Sequence, residues 1–265
     1  MSFFIRTVVL AAFSTLLLSA PAIAGEAITL MGDPCSLPLA KKLSEAFSER
    51  NGAGFEITGG KCNMGVHRAA AGEVQIGVST HANALSVLPE GTVNNIVAKS
   101  PIVLIVNKTN PVNDLTYEQV KGIFSGRIRN WKEVGGKDME IRNAYLAPCV
   151  RKTMGQQAAP YGEDIVELKK RGNPVENANA VVAENEGALG QQIYGYHDDR
   201  VKVLTIDGLL PTEETLPARY RFYQDYNVVT KGEPTGAVAE FIKFARGPEG
   251  KEVIRAIKHI PTDNE

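Results

Sequence analysis

The sequence predicts an α/β fold. Three observations carry the prediction. Short apolar strands alternate with amphipathic helices along the chain. The run Ile102-Val103-Leu104-Ile105-Val106 is continuously apolar and rich in β-branched residues, the pattern of a strand buried on both faces. The composition, 43% hydrophobic and 22% charged, is that of an ordinary globular protein. With 29 Lys and Arg against 30 Asp and Glu, the net charge of −1 gives no electrostatic footprint for nucleic acid. Three cysteines are too few for a disulfide scaffold, and 265 residues need none to bury a core.

The first 24 residues read as a secretory signal peptide. Arg6 is the positive n-region, Val8 to Leu18 the short apolar core, and Ala22-Ile23-Ala24 a small-x-small cleavage site. The apolar run falls short of the roughly 20 residues that a membrane span requires. Cleavage after Ala24 leaves a chain expected in the periplasm, with no direct membrane insertion and in a compartment that permits disulfides.

The elements then follow in order. Ala27–Met31 is a strand stopped by Gly32. Pro38–Arg50 places Leu39, Leu43, Ala46 and Phe47 on one face of a helix. Phe55–Thr58 is a strand ended by Gly59-Gly60, Val66–Ala71 a short helix closed by Gly72, and Val74–Val78 a third strand. After the buried strand at 102–106 and the break at Asn110-Pro111, Thr116-x-x-Gln119 forms a capping box ahead of a helix over Tyr117–Phe124. Ile141–Leu146 reads as a strand, Arg151 to Pro160 as helical, Val201–Ile206 and Asn227–Thr230 as strands. Thr235–Ala245 and Pro248–Ile257 are closing helices with apolar faces. The pattern alone allows one domain or two.

The stretch Leu115-Thr116-Tyr117-Glu118-Gln119-Val120-Lys121-Gly122-Ile123-Phe124-Ser125-Gly126-Arg127-Ile128-Arg129-Asn130-Trp131 is more specific. It resembles the L-T-x-x-Q-V-x-x-I-F-x-G-x-I-x-N-W signature of the phosphate-type periplasmic binding proteins, the receptors of ABC phosphate importers. Ala71 to Gly77, Ile206-Asp207-Gly208 with Pro211-Thr212, Val228 to Gly232, and Gly247 to Gly250 resemble further motifs of that family. The resemblance implies a two-lobed type II fold with a central cleft and two crossover hinge strands. Carried over, lobe 1 would hold 25–104 plus 227–265 and lobe 2 would hold 105–226, with crossovers near Ile102–Asn107 and Tyr226–Thr230. It implies a binding protein, not an enzyme. Its partners would be a small-molecule or ion ligand and a membrane ABC transporter or sensor kinase. Phe124 and Trp131 would be core.

The family's ligand loops are altered here. Its G-S-[ST]-T-x-x-P reads Gly32-Asp33-Pro34-Cys35-Ser36-Leu37-Pro38. Its S-G-S-G-x-G reads Gly60-Lys61-Cys62-Asn63-Met64-Gly65. Its S-G-T-R-E reads Pro148-Cys149-Val150-Arg151-Lys152, and Gln75 stands at the aspartate of D-I-G. All three cysteines thus fall on ligand loops. The implied ligand residues are Cys35, Ser36, Cys62, Asn63, Gln75, Arg142, Cys149 and Arg151.

Thiols are weak hydrogen-bond donors and suit thiophilic ligands better than phosphate. Arsenite, whose three hydroxyls three thiols can replace, is the first candidate. A soft metal ion held by Cys35, Cys62 and Cys149, with His67 or Met64 as fourth donor, is the second. No other cofactor is implied. Helix N-termini would lower the thiol pKa values. Four alternatives stand beside this: a Cys35–Cys62 disulfide, buried inert cysteines, oxyanion binding through backbone N–H groups, and a thiol enzyme or redox protein pairing Cys62 with His67 or His81. His197 and His259 read as exposed.

Overall fold

A computed structural model describes residues 26–80, 88–144, 157, 167–168 and 174–262. The opening unit is a parallel β–α–β–α–β arrangement: β1 (Ile28–Gly32), α1 (Leu37–Asn51), β2 (Phe55–Gly59), α2 (Met64–Ala71) and β3 (Ile76–Ser79). β1 lies between β2 and β3, all three parallel, with Gly32 in register with Gly59 and Val78. Parallel strands with helical crossovers bring their C-terminal ends to one edge, so the loops after β1, β2 and β3 meet there.

The chain then enters β4 (Thr92–Asn107), far longer than the apolar run at its end suggests. β5 (Asp114–Leu115), α3 (Tyr117–Phe124) and a 3-10 turn at Trp131–Val134 follow. The predicted capping box at α3 is present: Thr116 Oγ1 accepts from the Gln119 backbone N–H, and the Gln119 side chain accepts from the Thr116 N–H. Next come β6 (Arg142–Ala144), β7 (Glu167–Leu168), α4 (Pro174–Glu184), β8 (Ala188–Ile193), β9 (Val201–Val203), β10 (Thr205–Ile206), β11 (Tyr223–Lys231), α5 (Gly236–Arg246), α6 (Pro248–Ala256) and β12 (Ile260–Pro261). The main sheet runs β2-β1-β3-β11-β4-β8-β6-β7, with β9 and β12 also paired to β4. β4 and β11, antiparallel over Thr92–Pro101 and Tyr223–Lys231, are the two strands that tie its halves together.

The buried side chains fall into separate cores along these strands. Val97, Ala98, Tyr226 and Val228 pack with α1, α5 and α6 around Leu39, Phe47 and Phe241. Ile102, Leu104, Val106 and Phe222 pack with Phe124, Trp131 and Leu189. Val103 and Ile105, pointing to the opposite face, pack with α4. The change of core comes near residues 99–101 of β4 and 223–225 of β11. Trp131 and Phe124 are core as expected, and the indole Nε1 donates to the Gly187 carbonyl at 3.0 Å.

The strand at Ala188–Ile193 has no counterpart in the sequence reading. Its Gly190, Gln191 and Gln192 mask it, yet all six residues are buried between β4 and β6. The expected helix from Arg151 to Pro160 and the signal peptide lie outside the described residues, apart from Gln157. No described helix is long and apolar enough to cross a membrane.

Candidate functional site

The loops at the edge formed by the ends of β1, β2 and β3 carry Cys35, Ser36, Cys62 and Asn63. Gly65 and Gly77 set its geometry. A Cβ on Gly65 would lie 2.2 Å from the Met31 carbonyl oxygen, and one on Gly77 would lie 2.3 Å from that of Gly65. Only glycine lets α2 pack this closely on β1 and β3. That seating fixes the loop Lys61-Cys62-Asn63 beside the loop Asp33-Pro34-Cys35. Asn63, in the left-handed region at φ 56°, turns the chain into α2, and its Oδ1 accepts from Ser79 Oγ at 3.5 Å.

The first loop is closed by Asp33, which is 2% exposed. Its Oδ1 accepts from the Cys35 N–H at 2.9 Å and the Ser36 N–H at 3.2 Å. Its Oδ2 accepts from Ser36 Oγ at 3.1 Å, and Ser36 Oγ in turn accepts from the Asp33 N–H. Asp33 was not among the sequence candidates. An Asp followed closely by a Ser-Leu-Pro helix start is nevertheless a capping signal that the cysteine-centred reading passed over.

Cys35 is buried, 5% exposed, in the same core as Ile102 and Trp131. Burial, followed by the charges of Asp33 and Cys62, pushes its thiol well above the usual range. This corrects the expectation that a helix N-terminus would make it a thiolate: desolvation and a buried carboxylate outweigh the dipole. Cys62 is exposed and shares a surface pocket with Lys61, Met64, His67 and Arg68. Cys35 and Cys62 are not joined in a disulfide, so the disulfide alternative is not the state of this structure.

Two other candidates sit away from this edge. The Gln75 side chain accepts from the Thr29 N–H at 2.9 Å, and its own N–H donates to Thr29 Oγ1. Thr29 lies near the start of β1, so Gln75 stands at the N-terminal end of the sheet, opposite the loops. The residues that follow β3 at the loop end are Ser79 and Thr80; Thr80 is fully buried, and its Oγ1 has no hydrogen-bond partner among the described residues. Arg142 opens β6, which runs parallel to β8. Arg142 is exposed and pairs with Glu140 at 3.0 Å. Cys149, Arg151 and His81 lie outside the described residues. Among the described residues no group of three His, Cys, Asp or Glu side chains is arranged to hold a metal ion.

A buried polar chain runs from the loop into the strands that link the cores. Tyr226 Oη donates to the Ser36 carbonyl at 2.8 Å. His259 Nδ1 shares a hydrogen bond with Ser100 Oγ at 2.9 Å, and its Nε2 shares one with Tyr196 Oη at 3.0 Å. His259 is 2% exposed, and burial lowers its pKa to about 3. His197 is half-buried, its pKa also lowered by burial. Both are more buried than their sequence surroundings imply. The short C-terminal strand beside His259 is what buries it, and a two-residue strand has no visible period.

The PBP superfamily domain model matches residues 19–145. The phosphate-binding protein PstS of Bacillus subtilis is 28% identical over 249 residues, covering 90% of this chain and 81% of that protein. Among solved structures, a candidate phosphate ABC transporter substrate-binding protein with bound phosphate from Clostridium perfringens superposes with a TM-score of 0.79 at 27% identity, over 90% of this chain and 100% of that one. An ABC-type phosphate transport receptor from Vibrio cholerae superposes with a TM-score of 0.69 at 21% identity, over 88% and 99%.

The chain has the two-lobed α/β fold of the periplasmic binding proteins it resembles, and those relatives are phosphate-binding proteins and transport receptors. Within that class its likeness is to phosphate-binding proteins of the PstS type.

Proposed function

We propose that this chain is the exported receptor of an ABC importer and that its ligand is a small thiophilic species, arsenite first, rather than phosphate. Residues 1–24 would direct export. Lobes of 25–104 plus 227–265 and of 105–226 would close over the ligand, a population shift driven by contacts to both. The relatives named above support the receptor role, since they are phosphate-binding proteins and a phosphate transport receptor.

What supports the choice of ligand is the place of Cys35 and Cys62 on the loops that follow β1 and β2, two parallel strands whose C-terminal ends share one edge of the sheet. Cys149, which follows β6 in the sequence, is the third thiol in this reading. Neutral arsenite suits neutral thiols. In each of three substitutions a sulfur–arsenic bond replaces an arsenic–oxygen bond, the thiol proton leaves with the hydroxyl as water, and arsenic stays trivalent. A soft metal ion would instead have to displace the proton of a thiol that burial strongly holds.

Isothermal titration calorimetry of the reduced protein tests the reading. Arsenite should bind near one equivalent and protect Cys35, Cys62 and Cys149 together from alkylation. Phosphate binding with sub-micromolar affinity, and no heat from arsenite, would return the chain to the ligand of its relatives. Zinc or copper(I) binding in place of arsenite would make the metal the ligand.

A further inference from the structure

We infer that Asp33 sets the charge selectivity of this site: its carboxylate occupies the place an oxyanion would take on the first loop, so the site admits a neutral oxoacid and rejects phosphate and arsenate. The inference deepens the thiol-ligand reading and rests on it for the identity of the site.

Two observations carry it. The first is occupancy. An oxyanion on this loop would draw on the N–H groups of residues 35 and 36 and the hydroxyl of Ser36. In this protein Asp33 accepts from all three, at 2.9, 3.2 and 3.1 Å. Its position in the loop is fixed from within, because its own N–H donates to Ser36 Oγ and its carbonyl accepts from the Ser36 and Leu37 N–H groups. An incoming anion would therefore have to displace a carboxylate that is part of the chain and already seated.

The second observation is charge. Asp33 and its neighbours Cys35 and Ser36 are all at most 5% exposed, so water does little to screen its field. That field is felt by the surrounding groups. It adds to burial in holding Cys35 protonated and in raising the phenols of Tyr196 and Tyr226. A doubly charged oxyanion would face the same repulsion at closer range. A neutral trivalent oxoacid meets none, and it needs the protonated thiol that this field maintains. The same residue thus closes the site to the anions of its relatives and keeps Cys35 in the form that condenses with a hydroxyl.

The test uses the full reduced chain and three probes, sodium phosphate, sodium arsenate and sodium arsenite, titrated by calorimetry into the parent, Asp33→Ser and Asp33→Asn. Backbone amide shifts of residues 35 and 36 are followed by NMR. The parent should take arsenite and show no amide shift with phosphate or arsenate. Asp33→Ser frees the donors and removes the charge, and should bind phosphate and arsenate about tenfold or more tighter than the parent, with both amides shifting. Asp33→Asn removes the charge but keeps a carbonyl against the amides, and should gain less.

Variants that melt like the parent yet bind phosphate no more tightly would overturn the inference. So would phosphate-dependent shifts of the Cys35 and Ser36 amides in the parent, a readout that holds even if neither variant folds. Gained phosphate binding in Asp33→Ser with no arsenite binding in the parent would sink the thiol reading and leave the selectivity role standing. Arsenite binding in the parent with no gain in Asp33→Ser would do the reverse.

Discussion

Acid should destabilise this protein through His259, by an amount the structure specifies. The imidazole is buried between β4, β11 and the segment after β8, hydrogen-bonded to Ser100 Oγ and Tyr196 Oη and facing the ring of Tyr226. Those partners are all uncharged hydroxyls, so nothing offsets a proton on the ring. Burial lowers its pKa from 6.5 to about 3. Above pH 6.5 the imidazole is neutral whether the chain is folded or unfolded, and it adds no pH dependence. As the pH falls below 6.5 the unfolded chain takes up the proton and the folded chain does not, so stability is lost with a slope approaching 1.4 kcal/mol per pH unit until about pH 3. Between pH 7 and pH 5 the loss from this one group is about 2 kcal/mol, or about 4–8 °C in melting temperature for a chain of this size. To isolate this one group, the assay compares the parent with His259→Gln, whose amide keeps hydrogen-bond partners without a titrating ring. Urea unfolding at pH 7 and pH 5 should show the parent losing about 2 kcal/mol more than the variant. Equal losses in the two proteins would refute the buried, neutral state of His259.

Further expectations follow from other named contacts. Trp131→Phe leaves the Gly187 carbonyl without its indole donor in a sealed core, and urea unfolding should show a loss of about 2–3 kcal/mol. Thr116→Ala removes one half of the capping box at α3 and should cost about 1 kcal/mol by the same assay. Gly65→Ala puts a methyl against the Met31 carbonyl, so α2 and the Cys62 loop cannot seat as they do, and circular dichroism should report a melting temperature at least about 6 °C lower. In the folded, ligand-free protein iodoacetamide should modify Cys62 rapidly and spare Cys35, as read by peptide mass spectrometry, because Cys62 is exposed and Cys35 is buried with a raised thiol pKa. Equal labelling of the two would contradict the placement of Cys35.

What the sequence discloses and what it hides divide along physical lines. Elements whose signals are local were legible: α3 with its capping box matches residue for residue, and α1, α5 and α6 each lie within about one or two residues of their expected ends, the usual uncertainty of a helix boundary. The missed features depend on contacts distant in sequence. Ala188–Ile193 is a strand because β4 and β6 lie on either side of it, not because Gly-Gln-Gln favours one. The first half of β4, Thr92–Lys99, is held by pairing to β11 rather than by an apolar run. At the site, the gathering of the Cys35 and Cys62 loops was legible only through the resemblance, since 27 residues and a helix crossover separate the two cysteines. Gln75 stands out as a replacement at a motif position, but its pairing with Thr29 near the start of β1 sets it away from the loop edge. Asp33 escaped notice for the opposite reason. It reads as a helix cap, and only its burial shows that it also holds the donors an anion would want.

The most direct measurement of the central claim is native mass spectrometry of the reduced, mature protein after exposure to equal arsenite and phosphate. The account predicts one adduct per chain that gains a single arsenic atom and loses three hydrogens, the signature of three thiols condensed on one trivalent centre, and no such adduct when any one of Cys35, Cys62 or Cys149 is changed to serine. A chain that carries phosphate and no arsenic would contradict it.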